Sequence, residues 1–271
     1  IFGFPHSRFA TLHSSLEAAL DCGIEHLSAY CFIPEPGTPL GDAVLAGASD
    51  LPLPEQQAES YAGLTAFLER AGWRSYETSN FCSPGAEARH NLVYWLRRPY
   101  LGLGPSAHSL IGGERFANHY ALGRWAAAIE RGEAPECERE AETEASAAAE
   151  VVMLGLRLGR GIDPADHPPA AWSAVDRRYG AALKAAVVAG RLERTVAGWR
   201  VPPALRFVAD ESIAWVLARE RAPRAPTIDS GTTSIATASF DSRARHSIMI
   251  GSCSSPPSPA SNSHPAMWTG I

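Results

Sequence analysis

The chain has 271 residues, 45% hydrophobic and 20% charged, which is enough apolar material for one large domain or two smaller ones. Its formal net charge is -5, and its 24 Lys and Arg residues form no long basic run, which excludes the clustered positive footprint of a nucleic-acid-binding surface. Apolar runs such as "AAAEVVMLGL" are too short for a membrane span, and the first residues lack the basic start and cleavage site of a signal peptide. A soluble, cytoplasmic chain is expected, with any membrane contact peripheral.

"IFGF" at the start reads as a short buried strand, and with no initiator Met ahead of it the chain reads as a fragment whose front is missing. "TLHSSLEAALDCG" follows as a helix, with Leu12, Leu16, Ala19 and Leu20 on one face and Gly23 as its stop. Residues 26–33 give a second strand, 35–40 a turn-rich loop, and 54–72 a helix with Pro at its start and Gly at its end. "WRSYETSNF" (73–81) reads as a third strand. Strands alternating with helices predict parallel pairing through right-handed crossovers, as in an open or closed α/β barrel. Ligands sit at the carboxyl ends of such strands, so Glu35, Tyr76, Glu77, Ser79 and Asn80 are rim candidates. Glu35 reads equally well as a surface carboxylate in a turn, and Asn80 as the start of a turn.

From residue 100 the pattern changes. Two short strands flank Gly112-Gly113 as a hairpin, and a helix opened by His119 and Tyr120 comes next. The charged run "ERGEAPECEREAETE" reads as a solvated linker. A helical run at 142–158, a Pro-rich break, a long helix, a small β wing and a final helix complete a compact winged-helix-like unit, a shape that need not bind DNA. The expected organisation is residues 1–135 as partial barrel and extension, 136–221 as helical domain, and 222–271 as a disordered tail or an artefact, since Ser, Thr, Pro and Ala dominate there without apolar periodicity.

Five scattered cysteines show none of the close spacing that zinc or iron-sulfur ligation needs. "GLGPSAHS" (102–109) lacks the ending of a phosphate-binding loop and reads as a tight barrel-closing strand, with His108 either lining a pocket or structural. No Gly-x-Ser-x-Gly elbow supports a hydrolase. The richest segment is "EARHNLVYW" (87–95). On a helix, His90 and Tyr94 share one face, and Asn91 and Trp95 pair one step round. Imidazole ligates iron well and flat aromatic rings suit a flat macrocycle, so a porphyrin contact is chemically sensible. The bland alternative has Tyr94 and Trp95 in a core, His90 bonded to a loop carbonyl and Asn91 capping a helix.

"YETSNFCSPGAEARHNLVYW" followed by "YLGLGPSAHSLIGGERFANH" resembles the radical-SAM proteins of the oxygen-independent coproporphyrinogen III oxidase-like family, particularly their heme-chaperone branch. "SAYCFIPEPGTPL" is similar to the family's late barrel strand and its Glu-x-Gly-Thr-Pro loop, and "VVMLGLRLGRGID" to the start of its carboxyl-terminal helical domain. The resemblance covers residues 1 to 218. It implies an α/β fold, the C-terminal part of a partial (β/α) radical-SAM barrel followed by the small helical domain. It also implies heme binding at His90, Asn91, Tyr94 and Trp95, with His90 toward the heme iron. Glu35, Tyr76, Glu77, Asn80 and His108 are candidates to line the pocket.

Full-length members carry a [4Fe-4S] cluster and S-adenosylmethionine. Early in the chain this sequence lacks their Cys-x-x-x-Cys-x-x-Cys loop and their Gly-Gly-Glu or Gly-Gly-Thr strand, and His6, Ser7 and Arg8 stand where the family has a glutamine-bearing loop. The expected function is therefore heme binding or trafficking, with delivery to a heme-acceptor protein, by a fragment unable to do radical chemistry alone. The alternative is oxygen-independent coproporphyrinogen III oxidation in porphyrin biosynthesis, and a third reading is an inert fragment.

Overall fold

A computed structural model describes residues 1–5, 7 and 9–221, with the backbone alone for Phe9 and Ala10. His6, Arg8 and the expected tail at 222–271 lie outside the described residues.

The first part is a small sheet with helices on one face. α1 (Phe9–Asp21) and α3 (Pro54–Arg70) pack side by side against it, and the short α2 (Pro39–Leu45) comes between β1 (His26–Ser28) and α3 in the chain. Thr38 caps α2 by accepting from the Gly41 amide at 3.1 Å, and Pro39 supplies the φ that starts it. Phe2, Leu16, Ala29, Tyr61, Leu64, Leu68 and Phe81 form the core between sheet and helices.

One strand contact is parallel, as strand-helix-strand order predicts. The Phe2 amide donates to the Tyr30 carbonyl at 2.9 Å, and the Phe32 amide to the Phe2 carbonyl at 2.7 Å. The rest of this sheet is antiparallel, in the order β1-β3-β2. The single strand expected over 73–81 is instead β2 (Arg74–Ser75) and β3 (Asn80–Cys82), folded back on each other. The intervening residues satisfy one another: the Ser75 hydroxyl donates to the Glu77 carbonyl at 2.6 Å, and the Ser79 amide to the Glu77 carboxylate at 3.2 Å. Such local side-chain bonds give the backbone an alternative to an extended ladder.

α4 (Arg89–Trp95) leads to β4 (His108–Ile111) and β5 (Glu114–Asn118), joined at Gly112 and Gly113 with φ of 64° and 80°. Two consecutive positive φ values are what a tight hairpin demands, and glycine meets them without strain. α5 (Leu122–Glu130) follows the hairpin. The charged run expected as linker contains β6 (Glu136–Ala141), which pairs with β5 to complete a second sheet, so strand pairing crosses the division expected at 135/136.

α6 (Glu144–Gly155), α7 (Pro169–Val188) and α8 (Ala209–Leu217) bury a second core that includes Val152, Leu156, Val175, Leu183 and Val216. Thr143 and Ser146 cap α6 reciprocally. The expected wing is β7 (Glu193–Arg194) paired with β8 (Trp199–Arg200). Among the described residues no helix is long and apolar enough to cross a membrane.

Contacts among the described residues join the cores. The 3-10 turn Pro203–Val208 places Leu205 against the helical core and Phe207 against the sheet core, with ring centroids 5.2 Å from Tyr61 and 6.3 Å from Phe2. The Gly159 amide also donates to the Tyr76 carbonyl at 2.8 Å, alongside an antiparallel bridge between Glu77 and Leu158.

Candidate functional site

The "HNLVYW" segment is helical as expected, but it is neither core nor capped by Asn91. α4 buries none of its residues, and its N-cap position is Ala88, which offers no side-chain cap. Seven residues cannot sustain a helix alone, so its attachments decide where it sits.

One attachment runs to the first sheet. Strand alternation turns Leu27 and Phe81 toward the helices and His26, Ser28 and Asn80 to the other face. There the Asn91 amide donates to the Tyr76 hydroxyl at 3.2 Å, and the same hydroxyl lies 2.9 Å from His26 Nε2. An amide NH2 can only donate, so the Tyr76 oxygen accepts from Asn91, and the phenolic proton is available to His26 Nε2 in the tautomer that leaves this nitrogen unprotonated. Burial pushes the His26 pKa down and that of Tyr76 up, both in favour of the neutral pair. Beside them the Ser28 hydroxyl donates to the Asn80 side-chain oxygen.

The second attachment runs through Tyr94. Its hydroxyl lies 3.1 Å from His90 Nε2, with the two rings edge to face at 4.9 Å. The Tyr94 ring meets Tyr100 at 4.6 Å in a second edge-to-face pair. Arg115 donates to the Tyr100 hydroxyl at 3.2 Å and forks onto both oxygens of Glu150 at 2.9 Å. Arg97, just past the end of α4 with φ of 52°, bonds the same Glu150 at 2.9 Å and also pairs with Glu142.

The structure thus pairs Asn91 with Tyr76 and His90 with Tyr94, with Asn80 beside Ser28 on the first sheet. Trp95 is half-buried on α4 and Glu35 is exposed in the loop before α2. Glu77, 1% exposed, turns into the seam with the helical part, where burial raises its pKa. His108 is half-buried on β4 opposite Ala117. His119 and Tyr120 precede α5 rather than open it, and Tyr120 is exposed.

The glycines of 102–104 have a structural explanation. A Cβ at Gly102 would lie 2.2 Å from the His108 carbonyl, and the Gly102 amide is already given to the Ser109 hydroxyl at 2.9 Å. Asn118, buried, pins this loop by donating to the Gly104 carbonyl at 2.8 Å.

Sequence reasoning missed His26, Tyr100, Arg115 and Asn118. Only His26 had a signal, as a polar residue alternating with Leu27 in a strand. A cavity of about 210 Å³ lies elsewhere, between residues 1–4, β1, α1 and α3, lined by Phe2, Gly3, Ser7, Leu12, Ser15 and Leu64 among others. None of the sequence-predicted site residues lines it.

Ser7 is described, whereas His6 and Arg8 are not. Cys22 is exposed at the end of α1, Cys31 and Cys137 are half-buried, and Cys82 is buried in β3. Among the described residues no group of three or more His, Cys, Asp or Glu could hold a metal ion, so the residues described do not fit a [4Fe-4S] cluster.

A solved structure shares the fold. Escherichia coli coproporphyrinogen III oxidase (HemN), described as a radical SAM enzyme, matches with a TM-score of 0.61 and 17% identity over 79% of this chain and 53% of that one. The chain is an α/β protein consistent with a partial radical-SAM barrel followed by a helical domain.

Sequence relatives narrow the class. The heme chaperone HemW of Bacillus subtilis is 35% identical over 162 residues, 60% of this chain and 43% of that protein. HemW of Synechocystis is 36% identical over 170 residues, 62% of this chain and 41% of its own length. The mitochondrial radical S-adenosyl methionine domain-containing protein 1 of Bos taurus is 41% identical over 108 residues, 40% of this chain and 24% of that one. Over these stretches the chain is similar to radical-SAM heme chaperones, and it spans less than half the length of the curated relatives it matches. No protein-family model matches it.

Proposed function

We propose that this chain binds heme, or a closely related tetrapyrrole, against α4 and takes part in passing it to a heme-acceptor protein. The observation that carries the reading is an imidazole, His90, presented on a helix with no buried residue and flanked by the Tyr94 ring. Imidazole nitrogen is a common axial ligand of heme iron, and one or two such donors suffice. Tyr94 and Trp95 supply flat surface for a macrocycle. Leu101 and Leu103, which follow Tyr100 in the chain, are 60% and 84% exposed. Asn91 holds the helix in place through Tyr76. Bound heme would supply the iron that His90 coordinates. The names of the sequence relatives support this reading over decarboxylation of propionates.

With the cluster unsupported among the described residues, no radical step is assigned to this chain. A cytoplasmic location, with any membrane contact peripheral, belongs to the same proposal.

Titration with hemin tests it. The Soret band is expected to shift on binding, to lose that shift in His90→Ala and to keep it in His119→Ala. Identical spectra for His90→Ala and the unaltered chain reject the ligand assignment. An anaerobic assay of a full-length version discriminates the oxidase alternative, since formation of protoporphyrinogen would favour the enzyme.

A further inference from the structure

The Tyr94 hydroxyl sits on Nε2 of His90, the ring nitrogen farther from its own backbone. A phenol and an iron atom cannot share that nitrogen's single donor site. Resting on the heme reading above, the geometry assigns Tyr100 as a positioning residue: it clamps Tyr94 over His90 and keeps the iron-binding nitrogen covered until a tetrapyrrole displaces the hydroxyl.

Three observations support the clamp. Tyr94 lies on a helix that buries nothing, so intrahelical packing alone leaves its ring free to change rotamer. The ring instead meets Tyr100 edge to face at 4.6 Å, an arrangement that aromatic quadrupoles favour. Tyr100 in turn cannot drift easily, because its hydroxyl accepts from Arg115, and Arg115 is held by both carboxylate oxygens of Glu150. The same Glu150 bonds Arg97 at the end of α4. One carboxylate on α6 thereby fixes both the helix that carries His90 and the ring that covers it. A residue that merely stabilised the site would, when removed, loosen heme binding. A residue that keeps the ligand covered does the opposite, and this difference in sign makes the assignment testable.

The test uses the whole chain with Tyr100→Leu and Tyr100→Phe. In stopped-flow mixing with hemin, Tyr100→Leu is expected to associate up to about tenfold faster, the scale of one released hydrogen bond. Tyr100→Phe, which keeps the ring and loses the Arg115 contact, should show a smaller rise. Association that is slower or unchanged in both variants overturns the clamp.

Without hemin, the 15N resonance of His90 Nε2 is read in the same variants, with Tyr94→Phe marking its position when the bond is absent. Displacement toward that position supports the clamp, and an unmoved resonance overturns it. Should the unaltered chain fail to bind hemin, the heme reading fails and the nitrogen resonance alone decides the role of Tyr100. If Tyr100→Leu does not fold, Tyr100→Phe carries both measurements.

Discussion

The side-chain amide of Asn91 donates to the hydroxyl of Tyr76 across 3.2 Å, tying a seven-residue helix to a sheet whose nearest strand in sequence ends at Cys82. The same hydroxyl serves His26. Tyr76→Phe removes it and both of these bonds, at a cost of about 0.5–1.5 kcal/mol for each. Hydrogen exchange locates the loss: amides of α4 are expected to exchange faster, while those at the centre of α7 keep their order of protection. Equal protection of α4 in both proteins would mean that the helix is held by something else.

Glu77 predicts a pH dependence. Burial, only partly offset by the bonds from Ser79 and Asn80, raises its pKa above the ordinary 4.5, so the folded chain binds this proton more tightly than the unfolded chain. Its contribution to stability is complete below that ordinary value and is lost as pH rises through the higher native one. Glu77→Gln cannot ionise and can still accept from the Ser79 amide. Urea midpoints of the two proteins are expected to lie close together at low pH, with the Gln variant pulling ahead as pH rises toward neutrality. A constant gap across the range rules out Glu77 as the source.

Gly159 marks the tightest passage in the seam. A Cβ there would stand 2.4 Å from the Ser75 carbonyl oxygen, a backbone atom that cannot step aside, while the Gly159 amide is committed to Tyr76. Gly159→Ala is expected to destabilise the chain by about 1–3 kcal/mol, the usual scale for overpacking. A thermal melt within a degree of the original would show that the seam yields.

What the sequence disclosed depended on how local the signal was. The helix at Pro54 carries Pro at its start and Gly72 after its end, the Gly112-Gly113 hairpin needs positive φ, and His90 and Tyr94 meet because they are four apart; all three are nearest-neighbour facts. The fold-back at Tyr76–Ser79 was hidden because Glu77 is buried against residues 158 and 159, eighty positions later. β6 was hidden for a related reason: Glu136, Glu138, Arg139 and Glu140 have low intrinsic preference for strands, and β5 supplies the partner that overrides it. The partner of Asn91 could not be read from α4 at all, since Tyr76 reaches it only through tertiary folding. Of the site, the helical pair was legible and its supports were not.

β6 forms one border of its three-stranded sheet, and four of its six residues bear charge. A stray strand seeking to extend the ladder there would have to lay its backbone beside a picket of carboxylates and one guanidinium, shedding their water for little return. Sheet borders left apolar and flat invite such additions, and charged ones repel them. A segment that breaks strand-forming preference thus guards the molecule against self-association, a role served by the very composition that disguised it.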